Sequence, residues 1–128
     1  SEMCIRDRVI TLTDNDSEKI TATDIVELVN ELRYAGAEAI SVNDVRVVNM
    51  TEFADIYGYI IMKPSQRITS PYVIKAIGRS TMYSALNRPG GTLEHLNDFI
   101  IATIKQSNSI TIEKYTGVIG SKYIKNNN

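Results

Sequence analysis

The chain has 128 residues, of which 43% are hydrophobic, enough for one compact core and too few for two. Its 14 basic and 15 acidic residues leave a net charge of -1 and are spread along the chain, which removes the electrostatic footprint of a nucleic-acid or acidic-membrane partner. One cysteine (Cys4) and one histidine (His95) exclude an internal disulfide and the usual structural zinc sets, and no apolar run approaches the roughly 20 residues of a membrane-spanning helix, so the chain as given reads as a soluble piece.

The opening octapeptide, SEMCIRDR, has neither strand alternation nor turn chemistry and no apolar h-region of a signal peptide. Residues 1–7 match the reading-frame translation of a transposon mosaic-end adapter used in sequencing libraries, with Arg8 completing the last codon. Residues 1–8 are therefore expected to be a non-native scar, with the domain beginning at Val9 and the gene extending upstream. Cys4 is then no native thiol, and the net charge of the remainder stays at -1 because Glu2 and Asp7 cancel Arg6 and Arg8.

From Val9 the pattern becomes regular. Val-Ile-Thr-Leu-Thr over 9–13 predicts a strand that stops at the polar turn Asp14-Asn15-Asp16-Ser17. Thr21-Ala22-Thr23-Asp24 is a capping-type start, and Ile25, Leu28, Val29 and Leu32 recur at helical spacing until Ala35-Gly36. Burying those four side chains contributes about 6–12 kcal/mol gross, an upper bound. Residues 39–42 and 45–48 predict a hairpin around Asn43-Asp44, and 49–58 reads as irregular. Two strands, 59–62 and 72–77, are expected to be joined through 63–66, with Pro71 at a strand start.

Residues 80–86 predict a short helix broken by Pro89-Gly90-Gly91, after which Thr92 caps another with Leu93 and Leu96 on one face. The β-branched residues of 100–105 and 110–114 predict two strands around 106–109, with continuation of the helix to 104 as the alternative. The tail, 117–128, reads as frayed, leaving one domain over 9–116. This order predicts an α+β fold: a two-layer, ferredoxin-like alpha-beta plait with a mostly antiparallel sheet and helices on one face. Both faces of strands 59–62, 72–77 and 100–105 are apolar, so a second copy, another protein or the tail is expected to cover the second face.

Each candidate constellation has a structural reading. Arg88-Pro89-Gly90-Gly91-Thr92 can present N–H groups to an anion, but lacks the lysine and preceding strand of a phosphate loop and is favoured as a turn. Glu94-His95 has no partner at triad or ligand spacing, and Asp14, Asn15, Asp16 and Glu18 lack the glycine and distal glutamate of a calcium loop. Catalytic, metal and cofactor residues are therefore expected to be absent. The best ligand or partner contacts are Asn43 and Arg46 at the hairpin, Arg67, and Tyr72, Val73, Lys75 and Ile77 on one strand, against the alternative that these are ordinary strand faces.

VITLTD, DIVELVNELRYAGAEAISVNDVRV, SPYVIKAIGRS, ALNRPGG and a late KY together resemble one bacterial family over about 9–123. It is the domain of unknown function (family 881) of YlxW-like and YlxX-like, division-initiation-like proteins. Asn43-Asp44 stands where Asn-Gly is usual, and Arg79-Ser80 where Asp-Pro is usual. The resemblance implies a plait domain at the C-terminus of a protein with a single N-terminal membrane anchor and a coiled coil, placing the domain outside the cytoplasmic membrane. No catalytic residues are established for the family, so the resemblance transfers none. The expected function is a non-enzymatic interaction domain, self-associating or binding an envelope or division protein, with a role near cell division or sporulation. A small-ligand sensor is the alternative, to be distinguished by a concave pocket beside Asn43, Arg46 or Tyr72; an enzyme is the third reading.

Overall fold

The computed structural model describes residues 7–63, 66–79, 81–97, 101–106 and 112. Strand β1 (Arg8–Thr13) begins one residue before its expected start. Arg8 pairs through its backbone with Ala76 on one side and Gln106 on the other, and its guanidinium donates to the Asp7 carbonyl at 2.8 Å. Of the expected scar, only these last two residues are described. Within β1, Ile10 and Leu12 are buried while Val9, Thr11 and Thr13 are half-buried, the alternation that the sequence implies.

Helix α1 (Ala22–Tyr34) starts where its cap residue dictates. The Thr21 hydroxyl accepts from the Asp24 N–H at 3.2 Å and the Asp24 carboxylate accepts from the Thr21 N–H at 2.9 Å, a reciprocal capping box. Ile25, Leu28, Val29 and Leu32 are all buried, and the helix closes at Ala35. Gly36, at φ +113°, then turns the chain into β2 (Ala37–Val42). Gly78 must also be glycine, because a Cβ there would collide with the Gly36 carbonyl oxygen.

Asn43 and Asp44 both have positive φ, the mirror-image turn that suits a two-residue hairpin, and they lead into β3 (Val45–Arg46). This strand is two residues long instead of the expected four. Val47 and Val48 turn into the core, and only the Val47 N–H prolongs the pairing, to the Ile40 carbonyl at 2.8 Å. The stretch expected to be irregular contains β4 (Glu52–Ile56), which pairs with β5 (Tyr59–Lys63) across a Tyr57-Gly58 turn. A short β6 (Gln66–Ile68) occupies the other side of β5. Then follow β7 (Tyr72–Gly78), α2 (Thr81–Leu86), α3 (Thr92–Asn97) and β8 (Ile101–Gln106), so a strand, not a prolonged helix, occupies 101–106. The expected strand over 110–114 and the tail lie outside the described residues, apart from Ile112.

The described strands form two antiparallel sheets, one of order β3-β2-β7-β1-β8 and one of order β4-β5-β6. The fold is thus mixed α/β, with antiparallel sheets and few helices. Strands 59–62 and 72–77 belong to different sheets, which corrects the expectation that they extend one apolar face together. The reason is β6: it takes up the free edge of β5, pairing Ile60 with Ile68 and Met62 with Gln66. Alongside β7 the large sheet instead carries Val9, Thr11 and Thr13 of β1 at the half-buried positions, mixing hydroxyls into that face.

One core joins both sheets to the helices. Ile10, Leu12, Ile40, Val42, Ile74 and Ala76 of the large sheet cluster with Ile60, Met62 and Ile68 of the small one, with the α1 stripe, and with Met82, Leu86, Leu93 and Leu96. Asp55 of β4 locks the small sheet to α1 by accepting the Ala22 N–H at 3.0 Å. Leu28 is fully buried in this cluster, so Leu28→Ala should lower unfolding free energy by about 2–5 kcal/mol in urea denaturation; a loss below about 1 kcal/mol would contradict its core position.

Candidate functional site

The residues singled out from the sequence do not converge. Asn43 is committed to the fold: its N–H donates to the Val73 carbonyl at 2.9 Å, its Oδ1 accepts from the Val73 N–H at 2.7 Å, and its Nδ2 donates to the Thr69 carbonyl at 3.1 Å. A side-chain amide here mimics a strand and joins the β2–β3 turn to β7. Lys75 pairs with Asp44 at 3.0 Å, a partly exposed bridge of small energetic weight. Val73 and Ile77 are half-buried on the face opposite Ile74 and Ala76, and Ile77 pairs with Ala39 at the far end of the strand. Arg67 lies on the small sheet, its guanidinium 4.5 Å from the centre of the Tyr59 ring.

Tyr72 is a core residue, opposite Leu12. Burial pushes its hydroxyl above the ordinary tyrosine value, and the negative charges of Asp14 and Asp55 push in the same direction. Those carboxylates are themselves occupied, Asp14 by the Ile20 N–H at 2.7 Å and Asp55 by Ala22.

The other constellations resolve into local structure. The anion facing the Arg88–Thr92 loop belongs to the chain itself: Glu31 Oε2 accepts from the Thr92 N–H at 3.2 Å, the Thr92 hydroxyl at 3.1 Å and the Arg88 guanidinium at 3.3 Å. Glu94 accepts the Gly90 N–H at 2.8 Å. In the acidic turn, Asn15 Oδ1 accepts from the N–H groups of Ser17 and Glu18. These carboxylates and amides therefore have structural tasks.

Of the sequence candidates, Arg46 lines a cleft. The cleft, of about 170 Å³, lies between the last turn of α1 and the segments 37–40 and 46–49. Here β3 pairs with Ser41 and Val42, and no described strand continues that pairing along 37–39. Arg33 and Arg46 line it with Asn49 and Glu38. Neither guanidinium is bonded to another described residue, whereas Glu38 has an interaction of its own.

Sequence reasoning overlooked Arg33 and Asn49, whose only signal was proximity to a helix end and to a strand too short to anticipate. It also overlooked the tip of the β4–β5 hairpin. Tyr57 is 97% exposed, with Ile56 and Tyr59 exposed beside it. Gly58, with φ +82°, was the available signal for a turn there.

Two measurements check these assignments. Asn43→Ala should cost about 1–3 kcal/mol, because it frees the Val73 N–H and removes a residue type tolerant of positive φ; unchanged stability would contradict the staple. For Tyr72, the raised folded value makes its contribution complete below pH 10.0 and progressively lost as pH rises through that folded value. Tyr72→Phe should therefore flatten the fall of stability above that pH, with equal slopes in both proteins as the contrary result.

The family model described as a bacterial protein of unknown function (DUF881) matches residues 5–125. The UPF0749 proteins Rv1825 of Mycobacterium tuberculosis and Mb1856 of Mycobacterium bovis are each 35% identical over 88 residues, which is 65% of this chain and 30% of theirs. The chain thus spans about 30% of the length of the curated relatives it matches. The crystal structure of an uncharacterized conserved protein from Mycobacterium tuberculosis aligns with a TM-score of 0.76 at 25% identity, over 98% of this chain and 94% of that one. Sequence motifs, family model and fold agree, and the chain belongs to the DUF881 family of bacterial proteins of unknown function.

Proposed function

We propose that this is a non-enzymatic interaction domain of a longer bacterial envelope protein, and that it docks on a protein partner through the tip of the β4–β5 hairpin. The observation that carries the reading is Tyr57. Its φ of +51° places a bulky residue in the left-handed region, at a cost of about 1–2 kcal/mol. The 97% exposed ring gains no packing that would offset this. Asparagine or aspartate is the residue such a turn favours. A tyrosine held there against backbone preference is accounted for by what it touches outside the molecule.

Its surroundings fit a protein interface. Ile56 pairs with Tyr59, Ala54 with Ile61, and Ile61 with Arg67, while Glu52 and Lys63 form a charged pair of positions at the far end. Tyrosine and arginine next to aliphatic surface, rimmed by charge, is the composition of an interface hot spot. The non-enzymatic reading is supported by the structural tasks of Glu31, Asn43, Asp14 and Glu94.

The rest of the proposal rests on family resemblance. The parent is anchored in the cytoplasmic membrane ahead of a coiled coil, holds this domain on the outer side, and acts near cell division or sporulation. The plait reading is supported by topology: setting aside 45–68, the chain runs strand, helix, strand, strand, helices, strand, with order β2-β7-β1-β8 and every pairing antiparallel. A second reading, a small-ligand sensor, is favoured by the cleft beside Arg46.

Tyr57→Asn separates stability from function. It should raise unfolding free energy by about 1 kcal/mol through relief of the turn. A photo-crosslinking residue at 57 in the parent protein, in living cells, should give one defined adduct, absent when the crosslinker is at exposed Glu27. No adduct at 57 overturns the docking assignment, as does a Tyr57→Asn parent that assembles normally.

A further inference from the structure

We propose that the protein partner of the β4–β5 hairpin presents an acidic segment: an aliphatic stretch carrying an aspartate or glutamate, whose carboxylate is received by Arg67 of β6. The inference rests on the hairpin docking reading and deepens it, naming the chemistry of the partner and the residue that selects it.

The register of the small sheet sorts its side chains into two faces. Ile60, Met62 and Ile68 are buried in the core, so the positions that alternate with them, Tyr59, Ile61, Lys63 and Arg67, belong to the outer face. Ile56 and Glu52 of β4 join that face, directly across from Tyr59 and Lys63. Five large hydrophobic side chains are exposed among the described residues, and three of them, Ile56, Tyr57 and Tyr59, are in this one hairpin. Single exposed apolar residues are ordinary, whereas a cluster on one turn and one face marks an interaction surface.

The charges on this face select the partner. Arg67 is exposed, with its guanidinium over the Tyr59 ring, and it makes no hydrogen bond or ion pair with another described residue. A guanidinium held over an aromatic ring is restrained by the contact and keeps its N–H fork for an acceptor. The carboxylate of the face cannot serve. Ile61 pairs with Ala54 on one side and Arg67 on the other, so Glu52 stands two strands and two residues from Arg67, roughly 12 Å between Cα atoms. Lys63, directly across from Glu52, balances that charge. Two cations against one anion leave the face positive at the Arg67 corner, although the whole chain carries -1. A carboxylate complements that corner and is the group an arginine fork receives bidentately, while aliphatic side chains beside it fit Ile56 and Ile61.

The test combines the photo-crosslinking residue at 57 in the parent protein, in living cells, with charge variants at exposed positions of the same face. Arg67→Gln should cut the yield of the adduct at least about fivefold, Arg67→Glu should abolish it, and Arg67→Lys should fall between, because an ammonium lacks the planar fork. Mass spectrometry of the adduct should place the crosslink within a few residues of an aspartate or glutamate. Circular dichroism of the 128-residue variants reports whether they fold. If the Arg67 variants unfold, Glu52→Lys at the exposed start of β4 keeps the test decisive: the yield should rise, and a fall or no change overturns the acidic partner. An adduct whose yield ignores every charge variant overturns the acidic assignment alone and leaves the docking reading standing. No adduct with Arg67 intact overturns the docking reading and this inference with it. Cosedimentation of the 128-residue chain with phosphatidylglycerol vesicles, lost on Arg67→Gln, would assign the corner to an anionic lipid surface and overturn the protein partner.

Discussion

The ladder between β1 and β7 is the contact on which the other elements depend. Ile10 opposes Ile74 and Leu12 opposes Tyr72 at the middle of the five-stranded sheet, each of these side chains being buried. β1 also carries β8 on its other edge, and β7 carries β2, so every other strand of the large sheet reaches the centre through this pair. The two strands are some sixty residues apart in the chain, and the loop-closure entropy of joining them grows only slowly with that separation. What offsets it is the burial of apolar side chains that these strands share with those of α1, α2 and α3 in one core.

Polar groups then fix the places where apolar packing alone would leave freedom. Asn43 supplies through its side chain the bonds that hold the hairpin turn against β7. Glu31, in the last turn of α1, gathers Arg88 and Thr92 and so sets where α3 begins. Asp55 does the same for the first turn of α1. Each is a long-range bond between a side chain and a backbone group that would otherwise lack a partner at an element's end. The glycine-rich loop, which on sequence grounds can cradle an external anion, is thereby occupied by an internal one.

Two surface features fall outside this economy of satisfied groups. Tyr57 keeps an unfavourable backbone conformation with its ring in water, and the half-buried Arg46 makes no hydrogen bond or ion pair with another described residue. They lie on separate parts of the chain, one at the tip of the small sheet and one at the edge of the large sheet. The proposed docking role of the hairpin offers a reason for the first of these exceptions.

The sequence by itself determined the elements whose signals are local. The period of Ile25, Leu28, Val29 and Leu32, together with Thr21 and Gly36 at its ends, specified α1 almost to the residue, because capping and helical spacing involve only neighbours in the chain. The alternation in β1 and β7, the Asn43-Asp44 turn, and the Leu93 and Leu96 face of α3 were legible for the same reason. Family membership was legible too, since motif identity needs no geometry. Only the tertiary structure decided that β5 belongs to a separate sheet, because a three-residue β6 with hardly any pattern of its own takes its edge. It also decided that Asn43 is a staple, Tyr72 a core residue and Arg46 the wall of a cleft. Those roles depend on Val73, Asp14 and Arg33, residues brought near by the sheet and the helix, and no spacing along the chain encodes that proximity.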